Sequence, residues 1–81
     1  MQYSILIEAI TDADFPIGYY YAHIPSLGLT THGLGIAGAK IAAADLISLW
    51  IAEKKSCGQV IATETDSYFA HIEVKDAVVS A

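Results

Sequence analysis

The chain has 81 residues, 54% of them apolar, and carries nine acidic against four basic side chains for a formal charge of −5. That length holds one domain and one core, and so apolar a composition argues against a disordered chain. There is no Arg, and only Lys40, Lys54, Lys55 and Lys75 could meet phosphates, so direct binding of DNA or RNA is not expected, whereas a basic protein partner is electrostatically favoured.

Cys57 is the sole cysteine, so no intrachain disulfide can form and a reducing, cytoplasmic compartment is expected. The N-terminal residues lack both the positive region and the long apolar run of a targeting segment. Residues 3–9 alternate as a strand, with Tyr3, Ile5 and Ile7 on one face and Ser4, Leu6 and Glu8 on the other. Residues 11–18 carry turn chemistry in Asp12, Asp14, Pro16 and Gly18. A second strand is expected over 19–24 and stops at Pro25, which has no N–H to give a ladder. Ser26-Leu27-Gly28 reads as a turn, and Leu29 to His32 as a short third strand ended by Gly33.

From about Ile36 to Lys54 the period becomes helical, with Ile36, Ala39, Ala43, Leu46, Ile47 and Trp50 on one face. Gly35 is the only reasonable cap residue, and Lys54 and Lys55 suit the negative end of the helix dipole. The stretch from Gly33 to Ala52 is long enough to span a bilayer. It contains Lys40 and Asp45, each costing roughly 2.5–3.5 kcal/mol at a membrane helix centre, so a soluble helix and no membrane partner are expected. A connector over 56–66 contains Gly58. A final strand is expected over about 67–75, with Tyr68, Ala70, Ile72 and Val74 on one face and Phe69, His71, Glu73 and Lys75 on the other. The fold class is therefore α+β in the order β-β-β-α-β, a small, largely antiparallel sheet with one helix on one face. A single domain over residues 1–81, with a core about 3–75, is expected.

Gly33-Leu34-Gly35-Ile36-Ala37-Gly38 spells the G-x-G-x-x-G pattern that holds a pyrophosphate at a helix N-terminus. The preceding Thr30-Thr31-His32 is too polar for a buried parallel strand, and the chain is too short for a doubly wound sheet. A tight turn with close helix-to-sheet packing is the expected role of these glycines.

Tyr19-Tyr20-Tyr21-Ala22-His23-Ile24-Pro25-Ser26-Leu27-Gly28 resembles the G-Y-Y-x-A-x-x-P-x-L-x-G stretch of HicB-type antitoxin domains. Thr30-Thr31-His32-Gly33 is similar to that family's x-T-x-G before its helix, and Gly58-Gln59-Val60-Ile61 to its G-x-x-I connector. The resemblance covers roughly residues 3–75. It implies a partial ribonuclease H-like fold, a homo-oligomer, and neutralisation of a small basic HicA-like toxin that cleaves mRNA. The chain departs from the family at Ser26, where Asp is frequent, and at the helix start, where Leu34 to Gly38 replaces an acidic first turn. No DNA-binding segment is expected after Lys75.

If the helix covers the face bearing Tyr3, Ile5, Ile7, Tyr20, Ala22, Ile24, Tyr68, Ala70 and Ile72, the opposite face carries Leu6, Glu8, Tyr19, Tyr21, His23, Phe69, His71 and Glu73. Such an aromatic face marks an interface, either with a heterologous partner or between two copies of the chain. His23, His32 and His71 lack the close spacing of a metal site, and no carboxylate cluster or nucleophile–base pair stands out. No catalytic residue, metal or cofactor is therefore expected. Two alternatives stay open: a small metal- or nucleotide-dependent protein using Gly33–Gly38 or the Glu8 and Glu73 carboxylates, and a solitary oligomeric domain.

Overall fold

The computed structural model describes residues 2–61, 63 and 68–74. Three antiparallel strands, β1 (Leu6–Ala9), β2 (Tyr19–Ile24) and β3 (Leu29–Leu34), form a sheet in that order, and one helix, α1 (Gly35–Ser56), follows. In the register, Leu6 pairs with His23 and His23 with Thr30, while Glu8 pairs with Tyr21 and Tyr21 with His32. A single 3-10 turn, Pro25–Leu27, joins β2 to β3 and closes on Gly28 in the left-handed region, φ 65°.

β2 has the expected limits. β1 is shorter than the alternation over 3–9 suggests, because its partner strand ends at Ile24, where the chain turns at Pro25. β3 runs two residues further than expected. Gly33 does not end the strand; it pairs with Tyr20 and lets β3 continue beneath the helix.

Gly33 is where strand and helix touch. A Cβ there would stand 2.4 Å from the carbonyl carbon and oxygen of Gly38 and 2.7 Å from the Ala39 nitrogen, so only a hydrogen fits. Gly35 makes the reversal itself: its φ is +70°, a region that costs side-chain-bearing residues roughly 1–2 kcal/mol, and its N–H donates to the Gly18 carbonyl at 2.7 Å. The glycine-rich motif is thus spent on a tight turn and close helix-to-sheet packing.

The helix lies on the sheet through small residues. Among the described residues the buried apolar core is Ala22 and Ile24 from β2 with Ala39 and Ala43 from α1. Tyr3, Ile5, Ile7, Tyr20, Leu27, Leu29, Leu46 and Ile47 pack around it, half-buried. The expected inner faces of β1, β2 and α1 are therefore the packed ones, apart from the two ends of the helical face, where half-buried Trp50 lies outside the cluster. Ile36 remains 54% exposed, because it lies in the first turn, ahead of the point at which Ala39 meets the sheet. The helix N-terminus has no side-chain cap, as the absence of Ser, Thr, Asp or Asn there requires.

The helix runs two residues past Lys54 because Gly58, not the lysine pair, sets its end. Gly58 has φ +68°; its N–H donates to the Lys55 carbonyl at 3.0 Å, and the Gln59 N–H to the Lys54 carbonyl at 2.9 Å. That pair of bonds is a Schellman ending. The Lys54 ammonium stands 5.6 Å from the Trp50 ring centre, one turn back. By length and composition the helix could cross a membrane; in the fold, its alanine face meets the sheet.

The fourth strand is a correction. Residues 68–74 form no ladder with the sheet, while Ser67 and Lys75 lie outside the described residues. Tyr68 and Ile72 are 88% and 87% exposed, so they do not join the helix-covered face with Ile5 and Ile7. Alternation gives a segment two chemically distinct sides, but a strand also needs an edge to pair with, and no edge takes it here.

Candidate interaction surface

The sheet face opposite the helix is built from alternate residues: Leu6 and Glu8 of β1, Tyr19, Tyr21 and His23 of β2, Thr30 and His32 of β3. Two side-chain groups organise it.

The first is aromatic and centres on Phe15. In the β1–β2 loop the Asp14 N–H donates to Asp12 Oδ1 at 2.9 Å, and the Phe15 N–H donates to the Asp12 carbonyl at 3.1 Å. This Asx-type turn, closed at its base by the Ile10 N–H on the Tyr19 carbonyl at 3.0 Å, folds Phe15 back over the sheet. Its ring meets His32 edge-on at 5.1 Å and 84°, Tyr21 at 5.9 Å and Tyr19 at 6.1 Å. Tyr19 also approaches His32 at 6.1 Å, and Tyr21 approaches His23 at 5.7 Å. These centroid distances are those of favourable tilted and edge-to-face pairs, so the rings hold one another without a covering layer.

The second group is polar and crosses all three strands. His23 Nε2 lies 3.0 Å from Glu8 Oε1, and His23 Nδ1 lies 3.0 Å from Thr30 Oγ1. With Nε2–H donating to the carboxylate, the neutral ring accepts the Thr30 hydroxyl at Nδ1, and both ring nitrogens are satisfied. Carboxylate, imidazole and hydroxyl stand in the order used by acyl-transfer triads. Here they lie along an open face, with Glu8 59% exposed, rather than around a cleft. Their evident effect is to fix the orientation of His23 beside Tyr21.

Five of the expected surface residues, Leu6, Glu8, Tyr19, Tyr21 and His23, thus come together on one face. Phe69, His71 and Glu73 do not extend that face, because segment 68–74 makes no strand. Phe69 stacks edge-on against His71 at 4.9 Å. With Tyr68 it borders an open cavity of about 330 Å³ against Ser4, Ile5, Leu6 and Pro25. Glu73 is exposed.

Phe15 and His32 were missed as members of the surface. His32 was legible, since the alternation from Leu29 puts it on the Thr30 side. Phe15 carried one weak signal, a lone aromatic among turn formers. Among the described residues no group of three or more His, Cys, Asp or Glu side chains converges as metal ligands would. The Cys57 thiol is exposed at the helix end. Comparison of the chain with protein-family models, with curated proteins and with solved structures gives no match.

Proposed function

We propose that this chain is a HicB-like, antitoxin-type binding domain that neutralises a small basic, HicA-like mRNA-cleaving toxin by covering it with the open sheet face. The observation that carries the reading is the ring cluster of half-buried Phe15, Tyr19 and Tyr21 with exposed His32, beside the Glu8–His23–Thr30 line on the sheet face opposite the helix. Aromatic residues such as Tyr and Phe are what protein interfaces are enriched in. The excess of nine acidic over four basic side chains adds long-range attraction for a basic toxin.

On this reading the chain acts by binding, is not an enzyme and works in the cytoplasm. It assembles with further copies of itself, and its fold is a partial ribonuclease H-like one. The loss of a basic RNA-cleaving surface beneath an acidic domain is the whole of the mechanism.

The test is co-expression with a small basic, HicA-like toxin, which the reading expects to be encoded by a neighbouring gene. The expected result is rescue of growth from that protein's toxicity and recovery of both chains in one complex. Toxicity that persists undiminished, with the two proteins purifying apart, defeats the proposal.

A further inference from the structure

The sheet has an open edge and the chain has an unpaired segment patterned to fill it. The Ile10 N–H on the Tyr19 carbonyl marks those two residues as a hydrogen-bonded pair. Such pairs recur every second residue, so Glu8 with Tyr21 and Leu6 with His23 are bonded pairs as well. The backbone N–H and C=O groups of Ile7 and Ala9 therefore point away from β2. Among the described residues no strand lies beyond them.

Segment 68–74 alternates Tyr68, Ala70, Ile72 and Val74 with Phe69, His71 and Glu73. Its apolar side chains stand in solvent: Tyr68 88%, Phe69 70%, Ile72 87% and Val74 65% exposed. Tyr68 and Phe69 lie beside Ser4 to Leu6 across the cavity, yet the segment makes no ladder with its own β1. Among the described residues the core is also small, with three of the four buried residues alanine. A domain of this size with so little buried apolar volume needs a further source of burial, and oligomerisation is a common one.

We propose that two copies of this chain exchange segment 68–74, each laying it as a fourth strand along the outer edge of the other's β1. The exchange is self-complementary, as a two-fold dimer requires. The apolar pattern fixes its facing. Tyr68, Ala70, Ile72 and Val74 fall on the helix side and extend the row of Ile5 and Ile7, while Phe69, His71 and Glu73 fall beside Leu6 and Glu8. The dimer so built restores to the open face the three residues that the single chain leaves off it. The inference deepens the self-assembly part of the proposed function and rests on that part alone. A failed exchange leaves the toxin test untouched.

The test combines sedimentation of the full chain with hydrogen exchange at the Ile7 and Ala9 amides over a dilution series. A dimer is expected, with both amides protected and the protection falling as dilution dissociates it. Ile72→Pro, which puts a residue without an N–H into the donated strand, is expected to sediment as a monomer with unchanged helical circular dichroism. The double change Ile72→Glu with Val74→Glu is expected to do the same without altering the backbone. Tyr21→Asp, on the open face, is expected to remain a dimer. A monomeric native chain, a dimer that survives both arm variants, or protection at Ile7 and Ala9 that ignores dilution would overturn the proposal. The last result would place the segment on its own β1.

Discussion

Gly33→Ala is the sharpest perturbation of the fold. Gly33 is not in the left-handed region, so the substitution brings no dihedral strain, and its effect is purely one of space. The new methyl would enter at 2.4 Å from backbone carbon and oxygen of Gly38, atoms that cannot rotate aside. Relief requires the helix to lift from β3, loosening the Ala39 and Ala43 contacts that form the core. Overpacking costs about 1–3 kcal/mol, and a contact with fixed backbone belongs at the upper end, near 3 kcal/mol. At roughly 4–8 °C per kcal/mol for a domain this size, melting should fall by about 12–24 °C.

Gly38→Ala is the internal control. Its methyl would meet Gly33 at 3.5 Å and Leu34 at 3.9 Å, ordinary contact distances, and would gain up to about 1 kcal/mol of helix propensity. Two glycines facing one another across one contact should therefore shift stability in opposite directions. Urea unfolding followed at the helical band of the circular dichroism spectrum reads both. If Gly33→Ala is as stable as the native chain, or Gly38→Ala is the more damaging change, the close strand–helix contact is refuted.

Ile24 is the largest fully buried side chain among the described residues, and Ile24→Ala is expected to cost about 2–5 kcal/mol. At roughly 4–8 °C per kcal/mol for a domain this size, calorimetry should find melting lowered by about 8–40 °C. Glu8→Gln keeps a hydrogen-bond acceptor for His23 on an exposed pair and should change stability by less than about 0.5 kcal/mol in the same unfolding assay. Phe15→Ala leaves the core intact but uncovers Tyr21 and His32. It should leave the melting temperature within a few degrees while releasing the aromatic ring-current shifts of His32 in the proton NMR spectrum.

The strands and helix were legible where burial enforces a period. Alternate residues of β2 must turn Ala22 and Ile24 inward, and the helical spacing must stack Ala39 on Ala43. The glycine motif was ambiguous in sequence, because a close backbone approach asks for glycine whether the neighbour is a phosphate or another strand. The contact between Gly33 and Gly38 gives Gly33 a packing role. The arm over 68–74 misled for a related reason. Its alternation is real, but pairing depends on an edge, and whether that edge lies in the same chain is not written in a two-residue period. On the surface, register alone placed Glu8, Tyr21 and His32 in one row. Phe15 needed the Asx turn to reach them, a loop geometry that composition suggests but does not aim.

The most direct measurement of the central claim is a calorimetric titration of a small basic, HicA-like toxin into the native chain, Tyr21→Asp and Leu49→Asp. Tyr21 lies at the middle of the open face, and Leu49, 70% exposed, lies on the outer side of the helix. A central interface residue contributes about 2 kcal/mol or more, so Tyr21→Asp is expected to weaken binding by roughly 30-fold while Leu49→Asp binds as the native chain does. Full affinity in Tyr21→Asp together with its loss in Leu49→Asp would put the partner on the helix and contradict the claim.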